Sequence, residues 1–270
     1  MAFLESQFPL LGSIGEYTFY KMKGSDKIIA RRKGGPSRKQ LKTGKNFMKT
    51  RLHSKEFAAR VAGSKLVMRA LDPLRSIANY NVATALHKPL KAIQDLDTIN
   101  KLGRRRICFS EHPGILEGLS LNTANGLESM IVAPIKSRIS ATGEATVKIP
   151  RLVPGISLKV GPGFSYFRIC VVLAAVPDLH LFEDGYDSPL PDLPMTTYVH
   201  DTTPWLPVAS ISAPHTFSLA PEAVPSGNNF VWMLSLGLEF GYPTGPDGIQ
   251  PIGDEGAAKV IAVIPGGKVL

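Results

Sequence analysis

Lysines and arginines are the residues whose spacing most plainly invites chemistry. Lys21, Lys23, Lys27, Arg31, Arg32, Lys33, Arg38 and Lys39, followed by Lys42 and Lys45, fall in one stretch of chain together with Tyr17, Phe19 and Tyr20. Cations at this density neutralise phosphates, and aromatic rings among them can stack on bases. The competing reading is a solvated basic face whose aromatics fill the inner side of a hairpin. A second gathering is acidic: Asp178, Glu183, Asp184, Asp187 and Asp192, with His180 nearby, in a proline-rich stretch. Carboxylates can hold a hard cation, but their order does not match a helix-loop-helix calcium loop. The expectation is a solvated acidic surface that meets a partner, and no residue is assigned to a metal or a cofactor.

Catalysis needs a nucleophile with its base, clustered acids and bases, or a nucleotide cradle. The chain has no G-x-S-x-G elbow, no H-E-x-x-H, no C-x-x-C pair and no G-x-x-x-x-G-K-[ST] loop. Gly34-Gly35, Gly161-Pro162-Gly163 and Gly266-Gly267 read as turns, since none opens a helix after a strand. Cys108 and His112 stand at i and i+4 across an expected strand end, a poor geometry for nucleophile and base. His200, Asp201 and His215, near Trp205, are scattered among prolines. No catalytic residue is assigned, and a non-enzymatic protein is expected.

The net charge of +9 conceals a division along the chain. Residues 1–110 hold 23 Lys and Arg against 7 Asp and Glu, a balance of +16, and residues 111–270 hold 8 against 15, a balance of −7. Three anionic partners fit such a basic half: nucleic acid, a membrane surface, or the acidic half of a neighbouring copy. With 44% apolar and 20% charged residues the chain has the composition of a folded protein. Cys108 and Cys170 sit in apolar, strand-like surroundings and read as buried thiols. The N-terminus lacks the positive and apolar regions of a signal peptide, and no apolar run approaches the roughly 18 residues of a membrane span. Synthesis in the cytoplasm is expected, with an extracellular or phage-like assembly compatible as final location.

These residues must be positioned by three kinds of element. Residues 15–31 read as two strands joined at Gly24-Ser25-Asp26, a basic β-hairpin followed by an exposed Arg31–Lys39 linker. From about Asn46 the spacing becomes helical: one helix with Phe57, Val61 and Met68 on its inner face, a second from Leu74 to Leu86, and a third with Pro89 in its first turn, ended by Gly103. Beyond Gly103 the period is two, and 18 of the 22 prolines lie after Ser110, which excludes long helices there. Strands are expected over 104–110, 129–139, 144–149, 156–160, 164–176, 205–212, 228–240 and 257–264, with 177–204 a long loop. In 230–240 the even positions are large and apolar, so one face is read as core. The fold class is α+β: a basic arm over 1–45, a three-helix region over 46–103 and an antiparallel, jelly-roll-like β-sandwich over 104–270.

The stretch Leu11-Gly12-Ser13-Ile14-Gly15-Glu16-Tyr17-Thr18-Phe19-Tyr20-Lys21-Met22-Lys23-Gly24, then Arg31-Arg32-Lys33-Gly34-Gly35-Pro36-Ser37, Gln40 and Arg51, resembles a family of uncharacterised Bacteroidota proteins, a domain of unknown function, over residues 11–106. The resemblance implies a glycine-rich basic hairpin, a short helical region and a β-rich second half, and implies no activity, catalytic residue or cofactor. The functional expectation is a structural protein that self-assembles head to tail into a filament, tube or shell through its basic arm and acidic sandwich. The alternative is a nucleic-acid-binding protein of virion or nucleoid type. A carbohydrate-binding sandwich using Trp205, Tyr198 or the acidic loop is the third reading.

Overall fold

The computed structural model describes residues 2–4, 11–21, 27–161, 163–183, 185–190, 197–245 and 248–267. The chain divides into two compact units, Met1–Arg51 and Leu52–Leu270. In the first, β1 (Ala2–Leu4), β2 (Gly12–Ile14), β3 (Tyr17–Lys21) and β4 (Ile28–Arg32) form a sheet in the order β1-β4-β3-β2. The β3-β4 pair is the expected hairpin, although residues 22–26, including the expected turn, lie outside the described residues. The flanking strands β1 and β2 are three residues each, too short for an alternating pattern to be read. The helix α1 (Arg38–Thr43) follows, opened by a capping box in which the Ser37 hydroxyl accepts from Gln40 N and Gln40 Oε1 accepts from Ser37 N.

The helix α2 (Met48–Ala70) leads into the second unit, which continues through a 3-10 helix, Asp72–Ile77, then α3 (Val82–Ala85), α4 (His87–Leu96) and α5 (Leu127–Met130). Its strands are β5 (Lys136–Ile139), β6 (Ala145–Ile149), β7 (Tyr166–Pro177), β8 (His180–Phe182), β9 (Gly185–Asp187), β10 (Thr197–Thr202), β11 (Leu206–Pro207), β12 (His215–Leu219), β13 (Phe230–Pro243) and β14 (Ile249–Pro265). They make a five-stranded sheet in the order β10-β7-β13-β14, with β11 also pairing β7, a three-stranded sheet β12-β6-β5, and a β8-β9 ribbon. The class is α+β with antiparallel sheets, as expected. The helical region forms no unit of its own: from Leu52 onward it belongs to the same unit as these sheets. Within 177–204, expected to be a loop, lie β8, β9 and β10, whose alternation is broken into pieces of three to six residues. Conversely, 104–110 and 156–160 contribute only single bridges, Ile107 with Leu179, and Leu158 with Ile131 and Pro154.

The large sheet is buried on both faces, where the sequence suggested one. Phe167, Ile169, Val171 and Leu173 of β7 and Phe230, Trp232, Leu234, Leu236, Leu238 and Phe240 of β13 pack with Val147 and Phe217 of the smaller sheet. Their neighbours Cys170, Val172, Ala174, Val176, Val231 and Met233 pack with Leu66, Val67, Leu74, Ile77, Leu90 and Ile93 of the helical layer. Among the odd positions of β13, Ser235 and Gly237 are small, and at Gly237 the helical layer leaves no room for more: a Cβ there would stand 2.4 Å from Leu74 Cδ2 and 3.0 Å from Ile77 Cδ1. The inner face of α2 also differs from expectation. Phe57 is 49% exposed, and Glu56, Ala59, Gly63, Ser64, Leu66, Val67 and Ala70 are the buried residues. Small residues let α2 approach closely, with the Gly63 position facing Leu90, Ile107 and Leu179.

The end of α4 is fixed by Asp97, whose Oδ1 accepts from the backbone N–H groups of Ile99 and Asn100 and whose Oδ2 accepts from Asn100 Nδ2 and Arg106 N. Gly103, expected to stop this helix, lies beyond it; its N–H donates to Glu56 Oε1 at 2.9 Å. Burial acts to raise the Asp97 pKa, but the donors from Arg106 and Asn100 outweigh it and hold the carboxyl down at about 2.

Two outcomes are expected. Gly237→Ala overpacks the sheet–helix contact and lowers stability by about 1–3 kcal/mol, read as a lower urea midpoint at unchanged slope; an unchanged midpoint would contradict the seating of Leu74 on β13. Asp97, depressed below its unfolded pKa, contributes stability above about pH 4, and that contribution is lost as pH falls through about 2. The wild type should therefore lose on the order of 2 kcal/mol more than Asp97→Asn across that window, measured by denaturation at successive pH values.

Candidate nucleic-acid interface

Strand chemistry explains the local structure of the basic unit. Tyr17, Thr18, Phe19 and Tyr20 favour extended backbone, and Gly15, at φ +56, takes the first position of the two-residue turn between the paired Ile14 and Tyr17. Antiparallel partners share a face. The register Tyr17↔Arg32, Phe19↔Ala30, Lys21↔Ile28 therefore gathers Tyr17, Phe19, Lys21 and Arg32 on one face of the sheet. Thr18↔Arg31 and Tyr20↔Ile29 place Arg31 and Tyr20 on the other.

Every described cation among the expected site residues is exposed: Lys21, Lys27, Arg31, Arg32, Lys33, Arg38 and Lys39. Lys23 lies outside the described residues. Tyr17 is 51% exposed, whereas Phe19 and Tyr20 are half-buried. The Arg31–Lys33 run is anchored to the Gly15-Glu16 turn. Arg32 Nε and Nη2 reach Glu16 Oε2 at 3.0 and 2.8 Å, Lys33 Nζ donates to Gly15 O at 2.9 Å, and Lys33 N donates to Glu16 O at 2.5 Å. Arg51 instead serves the helix before it, where its Nη1 donates to Leu41 O and Gly44 O and satisfies carbonyls left open at the end of α1.

The charge division of the folded molecule differs from the one suggested by cutting the chain at Ser110. Twelve Lys and Arg stand against 3 Asp and Glu in residues 1–51, and the remaining 19 of each sign leave 52–270 neutral. The whole excess of +9 therefore resides in the first unit. Several ions of the second unit are turned inward: Glu56 accepts from Arg105 Nε and Nη2 at 2.6 and 2.7 Å, and Arg105 Nη1 also reaches Asp95 at 2.8 Å. Burial works to raise the Glu56 pKa, and the Arg105 and Gly103 donors bring it below its ordinary value.

The expected acidic surface is not one surface. Asp178 is 1% exposed and accepts from Ser110 N at 2.9 Å and Ser110 Oγ at 2.5 Å, so it is a buried anchor and a correction to the solvated loop read from the sequence. A count of carboxylates along the chain does not reveal that Asp178 follows directly on the buried residues 169–177 of β7. Glu183 and Asp187 are exposed, and Asp184 and Asp192 lie outside the described residues. Trp205 is covered by the Arg168 guanidinium, 4.7 Å from the ring centroid, and Arg168 in turn pairs with Glu239. Tyr198 packs against the helical-side core. Among the described residues no helix is long and apolar enough to cross a membrane. Comparison of the chain with protein-family models, with curated proteins and with solved structures finds no match.

Proposed function

We propose that the chain is a non-enzymatic nucleic-acid-binding protein in which the basic unit grips phosphates and the neutral α+β unit serves as its scaffold. One observation carries this reading: the entire net charge lies in residues 1–51, where the described lysines and arginines other than Arg51 are exposed, as is the ring of Tyr17. A partner for that unit must be strongly anionic. The interleaving of aromatics with cations favours a single-stranded ligand with unstacked bases, since rings between phosphate-binding cations offer stacking surfaces. A membrane surface fits less well, because α1 is six residues long and buries none of them. We take the N-terminal resemblance to the Bacteroidota family as part of this reading, and the two packed sheets of the second unit as a sandwich-like support.

Self-assembly is the second reading, favoured by the edge strand β2, whose residues are all exposed and which is flanked by Leu11 and followed by no further strand in the described sheet. Such an edge can accept a strand from another copy. Like-charged units repel, however, so assembly through this edge requires an anion to bridge them or salt to screen them.

Fluorescence anisotropy with a labelled single-stranded oligonucleotide should show affinity falling steeply with salt. Arg31→Glu, Arg32→Glu and Lys33→Glu together should weaken binding more than tenfold and flatten the logarithmic salt slope by about 2; unchanged affinity would refute the proposal. For the second reading, sedimentation at high salt should reveal oligomers that Ile14→Lys abolishes, and a monomer at every salt concentration would dismiss it.

A further inference from the structure

A second site lies within the unit Leu52–Leu270. The segments around Cys108 and Leu179, far apart in sequence, are clasped by a reciprocal pair of backbone hydrogen bonds, Ile107 N to Leu179 O at 3.0 Å and Leu179 N to Ile107 O at 2.9 Å. The bridge places the residue after Ile107 beside the residues on either side of Leu179. As a result Cys108 Sγ, a carboxylate oxygen of Asp178 and a ring nitrogen of His180 all lie within 4.8 Å of one another.

Three observations mark this cluster. It combines a soft thiol, an imidazole and a carboxylate, the donor set of transition metals and zinc and not of calcium or magnesium. Its carboxylate is fixed by Ser110, whose N donates to Oδ1 and whose Oγ donates to Oδ2, as outer donors fix ligating carboxylates, and each oxygen keeps a further lone pair. Finally, Cys108 and Asp178 are buried while His180 is half-exposed, so the cluster is shielded on one side and reachable through the imidazole on the other.

We propose that Cys108, Asp178 and His180 form a binding site for Zn²⁺ or a chemically similar divalent transition metal, with a fourth position open to water or an exogenous ligand. Ligand atoms on a tetrahedral zinc stand roughly 3.3–3.8 Å apart, given bonds of about 2.0–2.3 Å. Closure of the cluster therefore requires shifts of about 1 Å, within reach of side-chain rotation. A thiolate and a carboxylate balance a divalent cation, so the loaded site is neutral in its buried surroundings. Arg106, whose positive charge is felt at Cys108 and His180, is engaged by Asp97 and Glu111, at 3.4 and 4.0 Å. Cysteine nucleophilic catalysis is the weaker use of the same trio: burial pushes the Cys108 thiol up to about 12, with Asp178 adding to the effect, and a nucleophile needs the thiolate.

The test uses the full chain, stripped with a chelator and titrated with Co²⁺ and separately with Zn²⁺. The expected result is one equivalent of tightly bound metal, with a thiolate-to-cobalt charge-transfer band that disappears in Cys108→Ser. His180→Gln, at a half-exposed position with unchanged circular dichroism, should weaken zinc binding at least tenfold. No charge-transfer band and no calorimetric zinc binding in the wild type would overturn the proposal, as would wild-type affinity retained in both variants. Oligonucleotide binding through residues 31–33 is measured separately, so the two readings fail or stand independently.

Discussion

The second unit depends on one pairing, β7 against β13. Twelve residue pairs run from Phe230↔Pro177 to Gly241↔Tyr166 without a register shift, and the side chains of both strands alternate between two different cores. A slip of one residue would exchange the faces. Trp232, Leu236 and Phe240 would then meet the helical layer at positions where Gly237 and Ser235 now stand, and Leu74 already fills the space above Gly237. The two faces thus specify each other: Trp232, Leu236 and Phe240 demand the sheet side, and Ser235 and Gly237 the helix side. The irregular β14 is accommodated around this pair, with Asp254 in left-handed backbone at its bulge and the buried Asn122 donating to Asp254 O and Gly256 O.

Much of this was legible in the sequence where a pattern was long. The alternation from Phe230 to Phe240 identified the central strand, and the hairpin through Tyr17–Lys21 followed from its aromatic and β-branched residues. What stayed hidden depends on tertiary partners. The inner face of α2 includes Glu56, Gly63 and Ser64 beside Ala59, Leu66, Val67 and Ala70, so its hydrophobic signal is interrupted, while Phe57 drew attention to a position that is exposed. The closed second face of β13 could not be read because Ser235, Gly237 and Glu239 resemble solvent-facing residues until a helix is laid over them. Asp178 and Cys108 lie 70 positions apart in the chain, and the Ile107–Leu179 bridge, with the Ser110 bonds to Asp178, makes neighbours of them.

Charge follows a similar logic. Counting along the chain suggested two opposed halves, but folding assigns the middle of the sequence to the same unit as its acidic end. Ions there serve structure: Asp97 closes a helix, Glu56 holds Arg105, and Glu239 takes donors from Arg168 and Ser76. The N-terminal unit has few carboxylates with which to do the same. Glu16 occupies Arg32, and most of the other cations there face solvent.

The order in which the strands occur along the chain has a kinetic consequence. The basic sheet is built from strands within the first 32 residues, whereas β7 must wait for β13, and β13 for β14, which ends at Pro265. Pairings between such distant segments make for slow folding and leave apolar surface uncovered during synthesis. On the ribosome all four strands of the basic sheet would therefore emerge before β7 has met β13.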